Sequence, residues 1–219
     1  MEAFDFAAMR AEMVVDQLQN RGITETAVLR AMGTVPREQF IPEIYHAQAY
    51  TDGPLPIGQR QTISQPYIVA YMIQLLELTP ESIVLEIGTG LGYAAAVLSQ
   101  IAAQVITVER HEKLVWAARE RLAALGYDNV IVVEGDGTVG CEDFAPYDGI
   151  VVAAGGPSIP IPLKEQLKVG GKLVMPIGDN KRKQQLYQIT RQDNYQFIEK
   201  RKGAVSFVPL IGQAGWDKR

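Results

Sequence analysis

The sequence predicts an α/β fold: a doubly wound, mostly parallel sheet with an antiparallel C-terminal edge and an N-terminal helical extension. Three observations predict it. Apolar strand-length runs alternate with helix-length segments from about residue 82 to 177, the pattern of a parallel sheet covered by helices on both faces. The first of these strands runs into a glycine-rich turn that opens a helix. The tail then changes character, to short runs rich in β-branched and aromatic residues with tight turns between them.

The elements follow in order. Phe6, Met9, Met13, Val14 and Leu18 recur at helical spacing and Gly22 ends the pattern. A short helix is expected over 25–32, before Pro36, and 40–65 reads as a loop of little periodicity. Loops of that length in a compact domain are functional or disordered, and Tyr45, Tyr50, Leu55 and Ile57 argue for a binding loop. Pro66 suits the first turn of a helix to about 78. Strands are expected at 82–87, 104–109, 130–134, 147–153 and 172–177, and helices at 93–101, 113–125 and 162–168. The edge comprises strands at 185–191, 196–200 and 204–207, with Lys181-Arg182-Lys183 as a solvated hairpin tip. The 219 residues suit one domain, in which 1–80 carries the helices and loop and 81–219 the sheet.

Composition narrows the function. A net charge of −4 gives no nucleic-acid footprint. One cysteine, Cys141, and two histidines, His46 and His111, exclude an internal disulfide framework and disfavour a metal site. The first ten residues lack a secretion signal, and no run reaches the roughly 18 apolar residues of a membrane span. The expectation is a cytoplasmic monomer.

The strongest local signal is Val84-Leu85-Glu86-Ile87-Gly88-Thr89-Gly90-Leu91-Gly92-Tyr93. A dinucleotide site would place its third glycine at 93, which is Tyr. The spacing here is G-x-G-x-G, with Glu86 two residues before the first glycine. Rossmann-like methyltransferases show this pattern, and their ligand carries a sulfonium and an ammonium, which suit a nearby carboxylate. Glu109 ends the next strand, where it can accept from ribose hydroxyls. Asp136, in Gly135-Asp136-Gly137, ends the third, where a carboxylate can accept from an adenine amino group beside a glycine that leaves room for the ring. Glu86, Gly88, Thr89, Gly90, Gly92, Glu109, Asp136 and Gly137 are therefore candidate contacts to S-adenosyl-L-methionine. Singly, these acids read equally as caps or solvated groups; their placement on three consecutive strand tips favours the shared crevice.

Asp52-Gly53-Pro54-Leu55-Pro56-Ile57-Gly58-Gln59-Arg60-Gln61-Thr62-Ile63-Ser64-Gln65-Pro66 resembles a segment of the protein-L-isoaspartate O-methyltransferases, as does Val35-Pro36-Arg37-Glu38-Gln39-Phe40 upstream. Val108-Glu109-Arg110, Ala145-Pro146-Tyr147-Asp148 and Phe207-Val208-Pro209-Leu210 fit in order, and the resemblance spans about residues 13–211. It implies methyl transfer from S-adenosylmethionine to the free α-carboxylate of isoaspartyl residues in damaged peptides and proteins, after which the ester collapses to a succinimide. It also marks Ser64 as the active-site serine. Such a carboxylate is already ionised at neutral pH, so no general base is needed. Ser64 is expected to hold one carboxylate oxygen, with Thr62 shaping the turn; the plain alternative for Ser64 is a helix cap. Leu55, Pro56, Ile57, Gln65 and Val208, with Pro209, are expected substrate contacts, though each apolar one taken singly reads first as core packing. Arg60, Leu91, Thr138 and Ala153 depart from the usual family residues. Arg60 keeps open a carboxyl methyltransferase with another acceptor, and a non-catalytic S-adenosylmethionine-binding protein is the alternative from a different class.

Overall fold

A computed structural model describes residues 4–180 and 183–217. Lys181 and Arg182 of the expected hairpin tip lie outside the described residues, and Lys183 begins a strand.

The N-terminal extension opens with helix α1 (Phe6–Glu12), capped by the Asp5 carboxylate on the Ala8 amide. It continues as a π-helical turn, Met13–Leu18, and a 3-10 turn, Gln19–Arg21, and ends at left-handed Gly22. Helix α2 (Thr26–Thr34) follows. The stretch 40–65, expected as an aperiodic loop, is ordered into a 3-10 turn (Glu43–Gln48) and a hairpin of strands β1 (Leu55–Gly58) and β2 (Gln61–Ile63). Its two turn residues, Gln59 and Arg60, both sit at positive φ, 50° and 58°. Helix α3 (Pro66–Gln74) starts at its proline.

The sheet strands are β3 (Ile83–Ile87), β4 (Gln104–Glu109), β5 (Val130–Glu134), β6 (Tyr147–Val152), β7 (Leu167–Asn180), β8 (Lys183–Arg191) and β9 (Phe197–Val205). Between them lie α4 (Tyr93–Ser99), α5 (Glu112–Ala124) and α6 (Ile161–Glu165). The order is β5-β4-β3-β6-β7-β8-β9, parallel through β7 and antiparallel for β8 and β9. Two expected tail strands, 196–200 and 204–207, are one strand. The pairing shifts register at Leu186/Tyr187, opposite Gly203 at φ 131°, so the glycine bends β9 without ending it. Helix α6 is shorter than expected and β7 correspondingly longer.

Alternation along the strands divides the core. Val84, Val105, Val151 and Val174 face the layer containing α2–α5, whereas Leu85, Ile106, Ile150 and Leu173 face the side of α6 and Leu210. Leu114, Val115, Ala118 and Leu122 give α5 its buried stripe. The order reverses at β3, whose neighbours are β4 and β6. The loops diverge there and open a crevice at the carboxyl ends of the strands.

Candidate active site

The crevice takes its floor from three strand tips. After β3, Gly88, Gly90 and Gly92 all adopt positive φ, near 98°, 56° and 96°, a conformation L side chains resist. Gly88, Thr89 and Gly90 line the crevice. Gly92 does not: it forms the N-terminal junction of α4, and a Cβ there would meet Leu122 of α5 at 3.1 Å. Gly137 lines the crevice too, and a Cβ on it would fall 2.3 Å from Ile87 Cγ2, so only glycine lets this loop close onto β3.

Glu86 is 1% exposed and is one of the residues that line the crevice. Among the described residues its carboxyl accepts one hydrogen bond, from the Thr107 hydroxyl, 2.6 Å from Oε2, and Thr107 in turn lies 2.6 Å from the Thr89 hydroxyl. Burial pushes its pKa up to about 8; the Thr107 bond opposes this and the charge of Glu109 adds to it. Glu109 lines the crevice with both oxygens engaged: Oε2 accepts from the Gly90 amide at 3.1 Å, Oε1 from the Arg110 and His111 amides at 2.9 Å each. These bonds tie the β4 tip to the glycine loop.

Asp136 lies beside the crevice at the start of a 3-10 turn (Gly137–Val139). Oδ1 accepts from the Thr138 amide (2.9 Å) and hydroxyl (2.7 Å), Oδ2 from the Gln213 amide (2.8 Å). Thr138, one of the departures from the usual residues, thus fixes the carboxylate.

The β1–β2 hairpin roofs the crevice. Ile57, Gln61, Thr62, Ile63 and Ser64 all line it, facing Gly90 and Leu91. At its mouth Gln61 Nε2 comes within 3.5 Å of His111 Nε2. Val208, Pro209 and Leu210 close the side next to Ala153 and Ala154. A second, outer groove is lined by Arg21, Pro54, Gln65, Tyr67 and Phe207, and it shares Thr62, Ser64, Ala153 and Val208 with the crevice. These four residues form the wall between the two cavities.

The helix-cap alternative for Ser64 is not what the structure shows. Gln65 occupies the cap of α3 without a side-chain capping bond, its amide donating to Asp52 instead. The half-buried Ser64 hydroxyl has no hydrogen-bond partner among the described residues, while its carbonyl accepts from Arg37 at 2.9 Å. Leu55, 5% exposed, packs into the core, and Pro56 points to the opposite, exposed face because the strand alternates. Neither lines the crevice or the outer groove, where they were expected as substrate contacts: Leu55 packs beneath the roof and Pro56 faces outward. Thr107, Arg110, His111, Gln61 and Leu210 were not expected at the crevice. All but Thr107 line it directly, and each neighbours a residue that sequence spacing does single out.

A family model described as Protein-L-isoaspartate(D-aspartate) O-methyltransferase (PCMT) matches residues 9–215. The chain belongs to this family. It is 54% identical over 207 residues to protein-L-isoaspartate O-methyltransferase 2 of Pelobacter propionicus, covering 94% of this chain and 92% of that one. It is 52% identical to the Brucella anthropi protein-L-isoaspartate O-methyltransferase, covering 97% of each. Among solved structures, a protein-L-isoaspartate O-methyltransferase superposes with a TM-score of 0.86 at 32% identity, over 94% of this chain and 67% of that one. A candidate family member from Plasmodium falciparum, in complex with S-adenosyl-L-homocysteine, superposes at 0.79 and 28% identity, over 91% and 97%.

Proposed function

We propose that this family member transfers the methyl group of S-adenosylmethionine to the free α-carboxylate of L-isoaspartyl residues, across the wall that carries Ser64. The observation that supports this most is the unpartnered Ser64 hydroxyl on the one wall common to crevice and groove.

The crevice suits the cofactor. Glu86 is a buried acid bordering the cavity with a single neutral donor and no cation paired to it among the described residues, a site that a ligand cation would complete. We assign Glu86 to the methionine end, Glu109 to the ribose, and Gly137 with Asp136 to the adenine. When bound, the cofactor supplies an electrophilic methyl on a positively charged sulfur.

The residues of the chain do the rest by placement. The substrate carboxylate is already anionic at neutral pH, so no side chain has to remove a proton. Ser64 donates to one carboxylate oxygen and leaves the other facing the crevice. That second oxygen is the nucleophile, and the bound cofactor would supply the methyl, its sulfur being the leaving group that keeps the electron pair of the broken bond. Thr62 holds the adjoining turn, and Ile57, Val208 and Leu210 keep water from the junction. Arg60, which kept a different acceptor in play, is exposed on the hairpin tip and lines neither cavity.

The test is methyl transfer from radiolabelled S-adenosylmethionine to matched L-isoaspartyl and L-aspartyl peptides. Base-labile label is expected on the isoaspartyl peptide alone. Ser64→Ala should lower kcat/KM ~10- to 100-fold, the worth of one hydrogen bond to a charged group, with cofactor affinity unchanged. Equal labelling of both peptides, or of neither, sinks the reading.

A further inference from the structure

Arg37 is fully buried, at 0% exposure, at the start of the 3-10 turn Arg37–Phe40. Its Nε donates to the Ala49 carbonyl at 2.8 Å and its Nη2 to the Ser64 carbonyl at 2.9 Å. The guanidinium lies over the ring of Tyr93, 4.9 Å from the centroid, and Tyr93 is both the first residue of α4 and a crevice-lining residue. Nη1 is buried without a hydrogen-bond partner among the described residues, and no carboxylate there forms an ion pair with Arg37. The neighbouring Glu38 is turned away: it takes the Tyr50 hydroxyl and lies 3.7 Å from Arg10.

This is an expensive arrangement. A buried cation with an idle donor and no counter-ion destabilises a fold relative to a well-packed apolar side chain of similar size. Packing therefore does not explain an arginine at this point, but its geometry does. Among the described residues it grips two backbone carbonyls, one of them belonging to the residue assigned to hold the substrate carboxylate, and it also interacts with the Tyr93 side chain. The grip fixes the Ser64 peptide plane relative to Tyr93, which starts the helix after the glycine loop. It thereby couples the substrate-side wall to the cofactor-side helix through one rigid, planar group. Burial lowers the pKa of the guanidinium, yet arginine keeps its charge in proteins.

We propose that Arg37 is a positioning residue for methyl transfer: through the Ser64 carbonyl it orients the serine hydroxyl toward the substrate carboxylate, and its unpaired charge behind that wall favours an anion there. The inference rests on the assignment of Ser64, and the experiment separates the two. Lysine cannot reach both carbonyls with a rigid fork, and methionine fills the space without charge. Arg37→Lys and Arg37→Met, each in the parent and in a Ser64→Ala background, are assayed for kcat and KM on an isoaspartyl peptide. S-adenosylmethionine affinity is measured separately by calorimetry.

With Ser64 present, kcat/KM is expected to fall ~10-fold or more in both variants, carried mainly by kcat for lysine and by both kcat and KM for methionine. The cofactor dissociation constant should stay within about twofold. With Ser64 replaced, the further loss should shrink to about twofold, because residues acting as one unit are non-additive. Equal fold-losses in both backgrounds, or a cofactor affinity that weakens in step with kcat/KM, overturn the positioning role and leave the serine assignment standing. A folded Arg37→Met enzyme with parental kcat/KM overturns it as well. A Ser64→Ala enzyme as active as the parent removes the serine assignment and this inference with it. Should one variant fail to fold, the other completes the cycle alone.

Discussion

The two ends of the cofactor crevice hold their carboxylates in opposite ways. At the end we assign to methionine, Glu86 is almost wholly buried with one neutral donor, and burial lifts its pKa to about 8. At the end we assign to adenine, burial also pushes the Asp136 carboxyl upward. There, however, bonds from Thr138 and the Gln213 amide, with the charge of Arg110, hold it below the usual range. Both are acids at the carboxyl ends of parallel strands, and sequence marks both as candidate cofactor contacts. The structure separates them: the charge of Asp136 is already answered by the chain, and that of Glu86 is not. An unanswered buried charge selects its ligand, whereas an answered one fixes the shape of the site.

The largest expected effect breaks the first end. Glu86→Gln should weaken S-adenosylmethionine binding ~100-fold, about 3 kcal/mol for a lost charge-assisted contact, by calorimetry. The parent should also bind the cofactor more tightly as pH rises from about 6 to about 9, because a ligand cation favours the ionised carboxylate. The ligand-free protein should move the other way. Its Glu86 pKa is raised above the ordinary 4.5, so the folded state binds more protons than the unfolded. That stabilising contribution is complete below about 4.5 and is lost as pH rises through about 8. Melting curves at pH 6 and 8.5 should show the loss in the parent and less of it in Glu86→Gln. A flat affinity profile in the parent would erase the distinction between the two ends.

A smaller effect belongs to the second end. Asp136→Ala leaves the Thr138 and Gln213 donors without their acceptor. It should cost ~2 kcal/mol of stability, seen as a lower denaturant midpoint, and only ~10-fold in cofactor affinity. A larger effect on affinity than that of Glu86→Gln would invert the comparison. The smallest effect lies away from both ends. Arg60→Gly should stabilise the chain by about 0.5 kcal/mol, since glycine accepts positive φ freely but loses more backbone entropy on folding. Cofactor affinity should not change; if it does, the hairpin tip reaches the crevice.

Sequence spacing makes the sheet, its glycine loop and the three acidic tips legible, because strand alternation and the demand for positive φ are local rules. The hairpin at 55–63 escapes those rules. Its first strand has four residues and contains Pro56, and its turn carries Gln59-Arg60 where such turns usually advertise Asn or Gly. The buried pair Leu55 and Ile57 flanking an exposed Pro56 was the available signal. Arg37 escapes for a different reason: a charged pair, Arg37-Glu38, reads as solvent-facing, and only tertiary packing buries it. The fates of Glu86 and Asp136 are also tertiary, decided by donors as distant in sequence as Thr107 and Gln213.

The hairpin has one more consequence. It is paired at three positions, and isolated two-stranded hairpins are marginal in water. Its hold on the site comes from the few apolar contacts of Leu55, Ile57 and Ile63, over a turn that resists its own backbone angles. The roof should therefore lift in excursions far less costly than global unfolding, and amide hydrogen exchange in β1 and β2 should run ahead of exchange in β3 and β4. If that opening gates release, the half-life of a bound cofactor should lengthen when the hairpin is stabilised, with no change in any group that touches the ligand.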